Sequence, residues 1–373
     1  MKRIIFTILM MVAAAFAAAS CGIEGGENNG NGNGEENGNT STNLTISVDS
    51  PVIRADGKST ATIVVKLGDE VVTDGVTIYD AVSDTPVQIP DFKFTTTAAG
   101  VYSFWAAYKT FHTGNVSVTA ITSPLPQLPA DSQPSNTSFT KRVFINQFTG
   151  TGCQYCPYMI KLLDNMAETY PDQFVLAACH TYNENDPAFL DYSIDNAMAV
   201  GGYPTVVLNL DKTQKFSDYT NPTKLKSMFT ADYGNGKIGT GISVATVLDG
   251  LNIVIKAQIK VADAGKYRVG AWLLEDGIIA KQTGAGSDPI EHNNCVRDIY
   301  SKNTATDYSG YLHIMEAGQT ADQFFLATLD PDWKSEKCHV VVFVCSQQSN
   351  GNYAVTNVID CPLGESLAYS YAK

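Results

Sequence analysis

Leu251, Ile253, Ile255, Ala257, Ile259 and Val261 occupy alternate positions of one run, with Asn252, Lys256, Gln258 and Lys260 between them. A period of two cannot gather apolar side chains on one face of a helix, so this run is a strand buried on one side. The turn Asp249-Gly250 precedes it, and Tyr267, Val269, Ala271 and Leu273 repeat the pattern. Farther on, two more apolar runs flank Asn350-Gly351, a dipeptide that accepts the positive φ angles of a tight hairpin. The segment 237–373 is therefore expected to be an all-β sandwich.

A second strand-rich stretch covers 42–122. Alternation is visible in Leu44-Thr45-Ile46-Ser47-Val48 and Thr60-Ala61-Thr62-Ile63-Val64-Val65, with further candidates at 76–78, 92–96, 101–108 and 115–120. About seven strands in about eighty residues imply another β-sandwich. The run Ala55-Asp56-Gly57-Lys58-Ser59-Thr60-Ala61-Thr62 and the closing Val116-Ser117-Val118 resemble the bacterial immunoglobulin-like modules of surface proteins. That resemblance implies a spacer or adhesive unit. Pro124, Pro126, Pro129 and Pro134 then mark 123–140 as an extended linker.

Between 141 and 236 the periodicity changes. Val143-Phe144-Ile145-Asn146-Gln147-Phe148 reads as a buried strand, and 156–170 as a helix with Ile160, Leu163, Met166 and Tyr170 on one face. A strand follows at 174–179, then a helix at 187–200 with Asp186 as N-cap, a strand at 205–210, a short strand near Lys215-Phe216, and a helix from Pro222 capped by Asn221. The order β-α-β-α-β-β-α predicts an α/β domain. The fold expected for the whole chain is an immunoglobulin-like sandwich, an α/β domain and a C-terminal sandwich.

Ahead of these lie Lys2, Arg3 and an apolar run, 4–19, too short to span a bilayer comfortably. This is a secretory signal, 1–20. Its end, Ala18-Ala19-Ser20-Cys21, resembles the lipobox of bacterial lipoproteins, which implies acylation of Cys21. The Asn/Gly/Glu tract to residue 41 cannot bury enough apolar surface to fold and is expected to be a tether. The location implied is the outer membrane, on its periplasmic face or at the cell surface, with lipid on Cys21 as the membrane contact. A net charge of −13 argues against nucleic acid as a partner.

Eight cysteines less a lipidated Cys21 leave seven, an odd number for an oxidising compartment. Cys153-Gln154-Tyr155-Cys156 places two thiols at the expected start of a helix, where unsatisfied N–H groups and the helix dipole stabilise a thiolate. Cys153 is the expected nucleophile and Cys156 the resolving thiol. Pro157 suits a first helical turn. Cys338 and Cys361 fall nearly opposite each other across the Asn350-Gly351 hairpin and are expected to form a structural disulfide. Cys179 and Cys345 read as buried thiols, and Cys295 is open.

The combination of Phe148-Thr149-Gly150-Thr151-Gly152-Cys153-Gln154-Tyr155-Cys156-Pro157, Gly202-Tyr203-Pro204-Thr205 and His292-Asn293-Asn294-Cys295-Val296-Arg297 resembles the thioredoxin superfamily, and more closely a family of outer-membrane-protein-related thioredoxin-like lipoproteins. The likeness implies an α/β thioredoxin-like domain over 141–236 and a cis Tyr203-Pro204 bond beside the dithiol. It also makes Tyr203 and Pro204 substrate contacts. Gln147 stands where that superfamily carries a buried acid, and an amide cannot take a proton. Gly152 replaces an aromatic residue and is expected to leave Cys153 less shielded.

The leading expectation is a lipid-anchored thiol-disulfide reductase or isomerase without cofactor, acting on envelope or surface proteins that carry thiols or disulfides. The alternative is a surface-exposed binding or adhesion lipoprotein that uses the dithiol domain as scaffold. A zinc site built from the dithiol with Cys179 and His180 is a third reading, weakened by the lack of a second ligand pair.

Overall fold

The computed structural model of the protein describes residues 43–373; the signal, Cys21 and the tether lie outside them. The chain divides into two compact units, one ending at Leu125 and the other running Pro126–Lys373. The first is all-β. Leu44–Val48, Ala61–Leu67, Glu70–Val71 and Lys93–Phe94 form one sheet, and a second is built on Val116–Ile121, Gly100–Tyr108 and Val76–Asp80. Their facing side chains, among them Ile53, Ile63, Val65, Ile78, Phe104 and Val118, make one core.

In the second unit the strand run opened by the alternating pattern is Asn252–Val261. Ile253, Ile255, Ala257, Ile259 and Val261 are buried in one core with Tyr267, Val269, Ala271 and Leu273 of Gly265–Glu275. Each fully buried aliphatic side chain of this kind contributes about 1.5–3 kcal/mol. The hairpin expected at Asn350-Gly351 joins Cys338–Gln347 to Tyr353–Pro362, with Gly351 at φ 82°. Cys338 and Cys361, however, are free buried thiols and form no disulfide. Cys361 pairs with Val340, so Cys338 sits two residues along, on the diagonal, where the spacing of about 7–8 Å exceeds what a disulfide spans.

The expected α/β thioredoxin-like domain is overturned. Strands account for 45% of the residues and helices for 11%. Val143–Thr149, Phe174–His180 and Thr205–Leu208 form no closed layer of their own but continue through Cys295–Ile299 into Gly265–Glu275, Cys338–Gln347 and Tyr353–Pro362, within one nine-stranded sheet. The joint is at Ala178, which pairs in parallel with Cys295 and donates its N–H to the Asn294 carbonyl at 2.8 Å. The helix expected at 187–200 shrinks to the turn Ile194–Ala197. Phe189 forms an isolated bridge with His180 after turns at 184–185 and 187–188, and the Leu190 amide donates to the His180 carbonyl at 2.9 Å. That bond takes the Leu190 amide, which a helix from 187 would have turned back on Asp186.

Two helices do form as expected. Pro222–Tyr233 carries Asn221 at its N-cap, accepting from the Lys224 amide. Cys156–Thr169 buries Cys156, Met159, Leu162, Leu163 and Met166, a face turned slightly from the expected one and leaving Ile160 half-buried. Both pack on Val143, Ile145, Val206 and Leu208. In register across the sheet, Gln147 meets Ala178, Ala178 meets Cys295, Cys295 meets Glu275 and Glu275 meets Cys338. Paired residues project to one side, so the dithiol helix and the core of the Asn252–Val261 strand lie over the same face.

Candidate functional site

Cys153 and Cys156 are joined in a disulfide with their Cα atoms 5.4 Å apart, at the N-terminus of the helix Cys156–Thr169. The loop that delivers Cys153 is held from behind by the segment after the strand Phe174–His180. The Thr151 amide donates to Asp186 Oδ2 at 2.6 Å, and the Gly152 amide to Asn183 Oδ1 at 2.9 Å. Thr181 and Tyr182 donate their amides to the Thr149 carbonyl. Glycine is required at 150 because a methyl group there would meet Tyr182 Cβ at 2.6 Å.

A second segment covers the same loop from the far side. Gln282, fully buried, donates Nε2 to the carbonyls of Gly150 at 3.2 Å and Cys153 at 2.9 Å. Thr283 donates its amide to the Thr151 carbonyl at 2.8 Å, and Gly284 lies so near the Gln154 carbonyl that a Cβ would stand 2.2 Å from it. Cys153 is only 3% exposed. The lesser shielding expected from Gly152 is therefore not found, and Tyr182 and Asn183 lie against that glycine.

Asp186 Oδ2 also accepts from Nδ1 of His180 at 2.8 Å. The Cys295 thiol lies 3.6 Å from the other ring nitrogen, Nε2. Burial works against ionisation of Asp186, but its bonds to His180 and to the amides of Thr151 and Ala188 outweigh this and hold its carboxyl at about 2. His292 sets its ring against His180 with centroids 5.2 Å apart, and its Nε2 is buried without a hydrogen-bond partner. Burial, and then the neighbouring His180, lower its pKa to about 4. Burial pushes the Cys295 thiol far up. The His292–Arg297 stretch, without assigned chemistry in the sequence, thus joins a buried Asp186–His180–Cys295 line attached to the dithiol loop. Arg297 completes its anchoring through an ion pair with Glu275 at 3.1 Å.

Gln147 is 3% exposed and its Nε2 has no hydrogen-bond partner, so the position expected to carry a proton acceptor carries an unsatisfied amide. Tyr203-Pro204 is cis. The Tyr203 hydroxyl donates to Asp195 Oδ2 at 3.0 Å and bonds Thr181 Oγ1 at 2.9 Å, and its ring meets Tyr182 edge-on at 5.2 Å. Tyr182 also lies against Gly152, so one residue links Tyr203 to the dithiol loop. Tyr155 and Tyr158 both stack on Tyr219 at the surface, giving the helix start an aromatic rim. Cys179 and His180, adjacent on one strand, project to opposite faces and do not converge on a metal. The roles of Asp186 and Gln282 escaped the sequence reading. An Asp two residues before an apolar pair looks like a helix cap, and nothing in a glycine-rich loop announces its contact.

The chain, mostly β in the described residues, is in class an outer-membrane lipoprotein. Residues 192–366 match the model of the family described as Outer membrane protein Omp28, and the location at the outer membrane follows from it. No curated protein matches the chain. Among solved structures, HBP35 of Porphyromonas gingivalis is 18% identical over 61% of this chain and 77% of that one, with a TM-score of 0.48. A protein of Agrobacterium tumefaciens is 16% identical over 61% of this chain and 96% of its own, at 0.41. A domain of the outer membrane lipoprotein Omp28 from Porphyromonas gingivalis is 16% identical over 34% of this chain and 88% of its own, at 0.24.

Proposed function

We propose that the protein is a lipid-anchored thiol-disulfide exchange protein of the outer membrane, acting on envelope or surface proteins through Cys153 and Cys156. The observation that carries this reading is the pairing of these two cysteines at a helix N-terminus, while the other five cysteines among the described residues are buried free thiols. A helix start favours the thiolate of Cys153 over its thiol. In the reduced form that thiolate attacks a substrate disulfide, forming a mixed disulfide and releasing one substrate sulfur as thiolate. Return attack by a substrate thiolate completes an isomerisation with no net electron transfer. Attack by Cys156 on the Cys153 sulfur completes a reduction, in which two electrons pass to the substrate and the pair becomes the disulfide. A thiol donor then has to reduce it again.

The test is to replace Cys156 with serine in the full-length lipoprotein and separate the envelope proteins captured on Cys153 under non-reducing conditions. A glutathione titration of the unaltered pair accompanies it. Captured partners together with a reversible titration support the reading; capture of nothing sinks it. The second reading, a binding lipoprotein with an idle disulfide, is favoured by the near-complete cover over Cys153 and by Gln147 in place of an acid. It expects an intact disulfide throughout and no trapped partner.

A further inference from the structure

We propose that Gln282 is an access- and specificity-determining residue for the dithiol, and that the segment Gln282-Thr283-Gly284 occupies the place where a partner polypeptide lies. Three carbonyl oxygens of the dithiol loop, those of Gly150, Thr151 and Cys153, are all taken by this segment, two by the Gln282 side chain and one by the Thr283 amide. The Thr283 bond is a main-chain bond of the kind an extended peptide makes at a sheet edge. Cys153 is 3% exposed, so a reagent reaches its sulfur only when something around it opens, and this segment, bonded to three carbonyls of the loop, is the part assigned to open. Departure leaves the carbonyls of Thr151 and Cys153 to find water or another chain, whereas that of Gly150 keeps the Cys153 amide at 3.0 Å.

An extended partner segment replaces those donors with its own amides; a small thiol cannot. The chemical class selected is therefore a polypeptide strand bearing a cysteine or disulfide, in preference to low-molecular-weight thiols. Gln282 suits the role for a further reason: its Oε1 is buried without a partner, so its hold rests on Nε2 alone. The Gly284 contact adds a steric limit, because no side chain fits against Gln154 while the segment is in place. The inference rests on the exchange reading for its purpose, but access itself is measurable with a reagent that needs no biological substrate.

The experiment follows reduction of Cys153–Cys156 in the full-length protein in detergent by a water-soluble phosphine, which acts across a wide pH range. Gln282→Glu puts a carboxylate against the Gly150 and Cys153 carbonyls. The expected result is reduction at least tenfold faster than in the unaltered protein at neutral pH, with the gain disappearing in acid as the carboxyl takes a proton and can donate again. Gly284→Ala should accelerate reduction without the pH reversal. Rates within twofold of the unaltered protein, in variants with unchanged thermal transitions, overturn the proposal. Should both variants fail to fold, hydrogen exchange of the Thr283 amide in the unaltered protein decides. That exchange should keep pace with phosphine reduction, and reduction much faster than Thr283 exchange overturns it. Neither outcome depends on whether trapping with Cys156→Ser finds a partner.

Discussion

Asp186 accepts the amide hydrogen of Thr151 at 2.6 Å, so the residue that looks like a helix cap in the sequence instead fixes the loop entering the dithiol. The same oxygen holds His180 Nδ1, and its other oxygen accepts from the Ala188 amide. One buried carboxylate thus satisfies three donors from three places in the chain. Asp186→Ala leaves all three unpaired. We expect a loss of about 2–4 kcal/mol in urea unfolding, with Asp186→Asn losing less because it keeps an acceptor. A change below about 0.5 kcal/mol for the alanine variant would show that water replaces the carboxylate without cost.

Stability should fall on both sides of neutrality, for separate reasons. Asp186, held at about 2 against 3.8, contributes stability that is present above about pH 4 and lost as pH falls through 2. His292, lowered to about 4, binds a proton more readily unfolded than folded, so it destabilises the protein as pH drops from 6.5 towards 4. His339 behaves oppositely. Burial opposes its charge, yet its ion pairs with Asp276 at 3.6 Å and Asp360 at 2.6 Å raise it to about 9. Its contribution is complete below 6.5 and lost as pH rises through 9. Urea midpoints across this range should trace a dome, and His339→Gln should flatten only its alkaline limb.

Thiol counting checks the cysteine assignment. Cys179, Cys295, Cys338, Cys345 and Cys361 are buried and free, and burial pushes Cys338 and Cys361 up to about 12. In the native protein all five should resist alkylation at neutral pH, and all five should react after unfolding in guanidinium without reductant. A peptide linking Cys338 to Cys361 in a non-reducing digest would restore the disulfide expected from the hairpin.

What the sequence made legible was local. The alternation from Ile253 to Val261, the hairpin at Asn350-Gly351, the Asn221 cap and the Cys153–Cys156 spacing all follow from backbone period or turn chemistry within a few residues. What it hid was which strand edges meet. Ala178 and Cys295 are separated by more than a hundred residues, and no period announces that their strands join. The same limit hid the bond of Gln282 to the Cys153 carbonyl, and it let 187–200 read as a helix when the Leu190 amide bonds to His180 and Ile194–Ala197 alone is helical there.

Lys260 supplies a last test, because it lies in the alternating strand on the face expected to be wet and is buried there. Its ammonium donates to Asp131 Oδ2 at 2.9 Å and to the carbonyls of Gln133 at 3.1 Å and Pro134 at 2.5 Å. The stretch expected to be an extended linker is therefore pinned at Asp131–Pro134 by the Lys260 cation, with Tyr371 bonded to the same carboxylate. Lys260→Met keeps the apolar stem and removes every one of those donors. Because Asp131 is partly open to water, the expected cost is about 2–4 kcal/mol rather than the full penalty of an orphaned buried charge. The loss should be local: thermolysin should cut between residues 126 and 137 faster by ~10-fold for each 1.4 kcal/mol of docking lost. Cutting at an unchanged rate, together with a lowered urea midpoint, would mean that Lys260 stabilises the sheet and not the spacer.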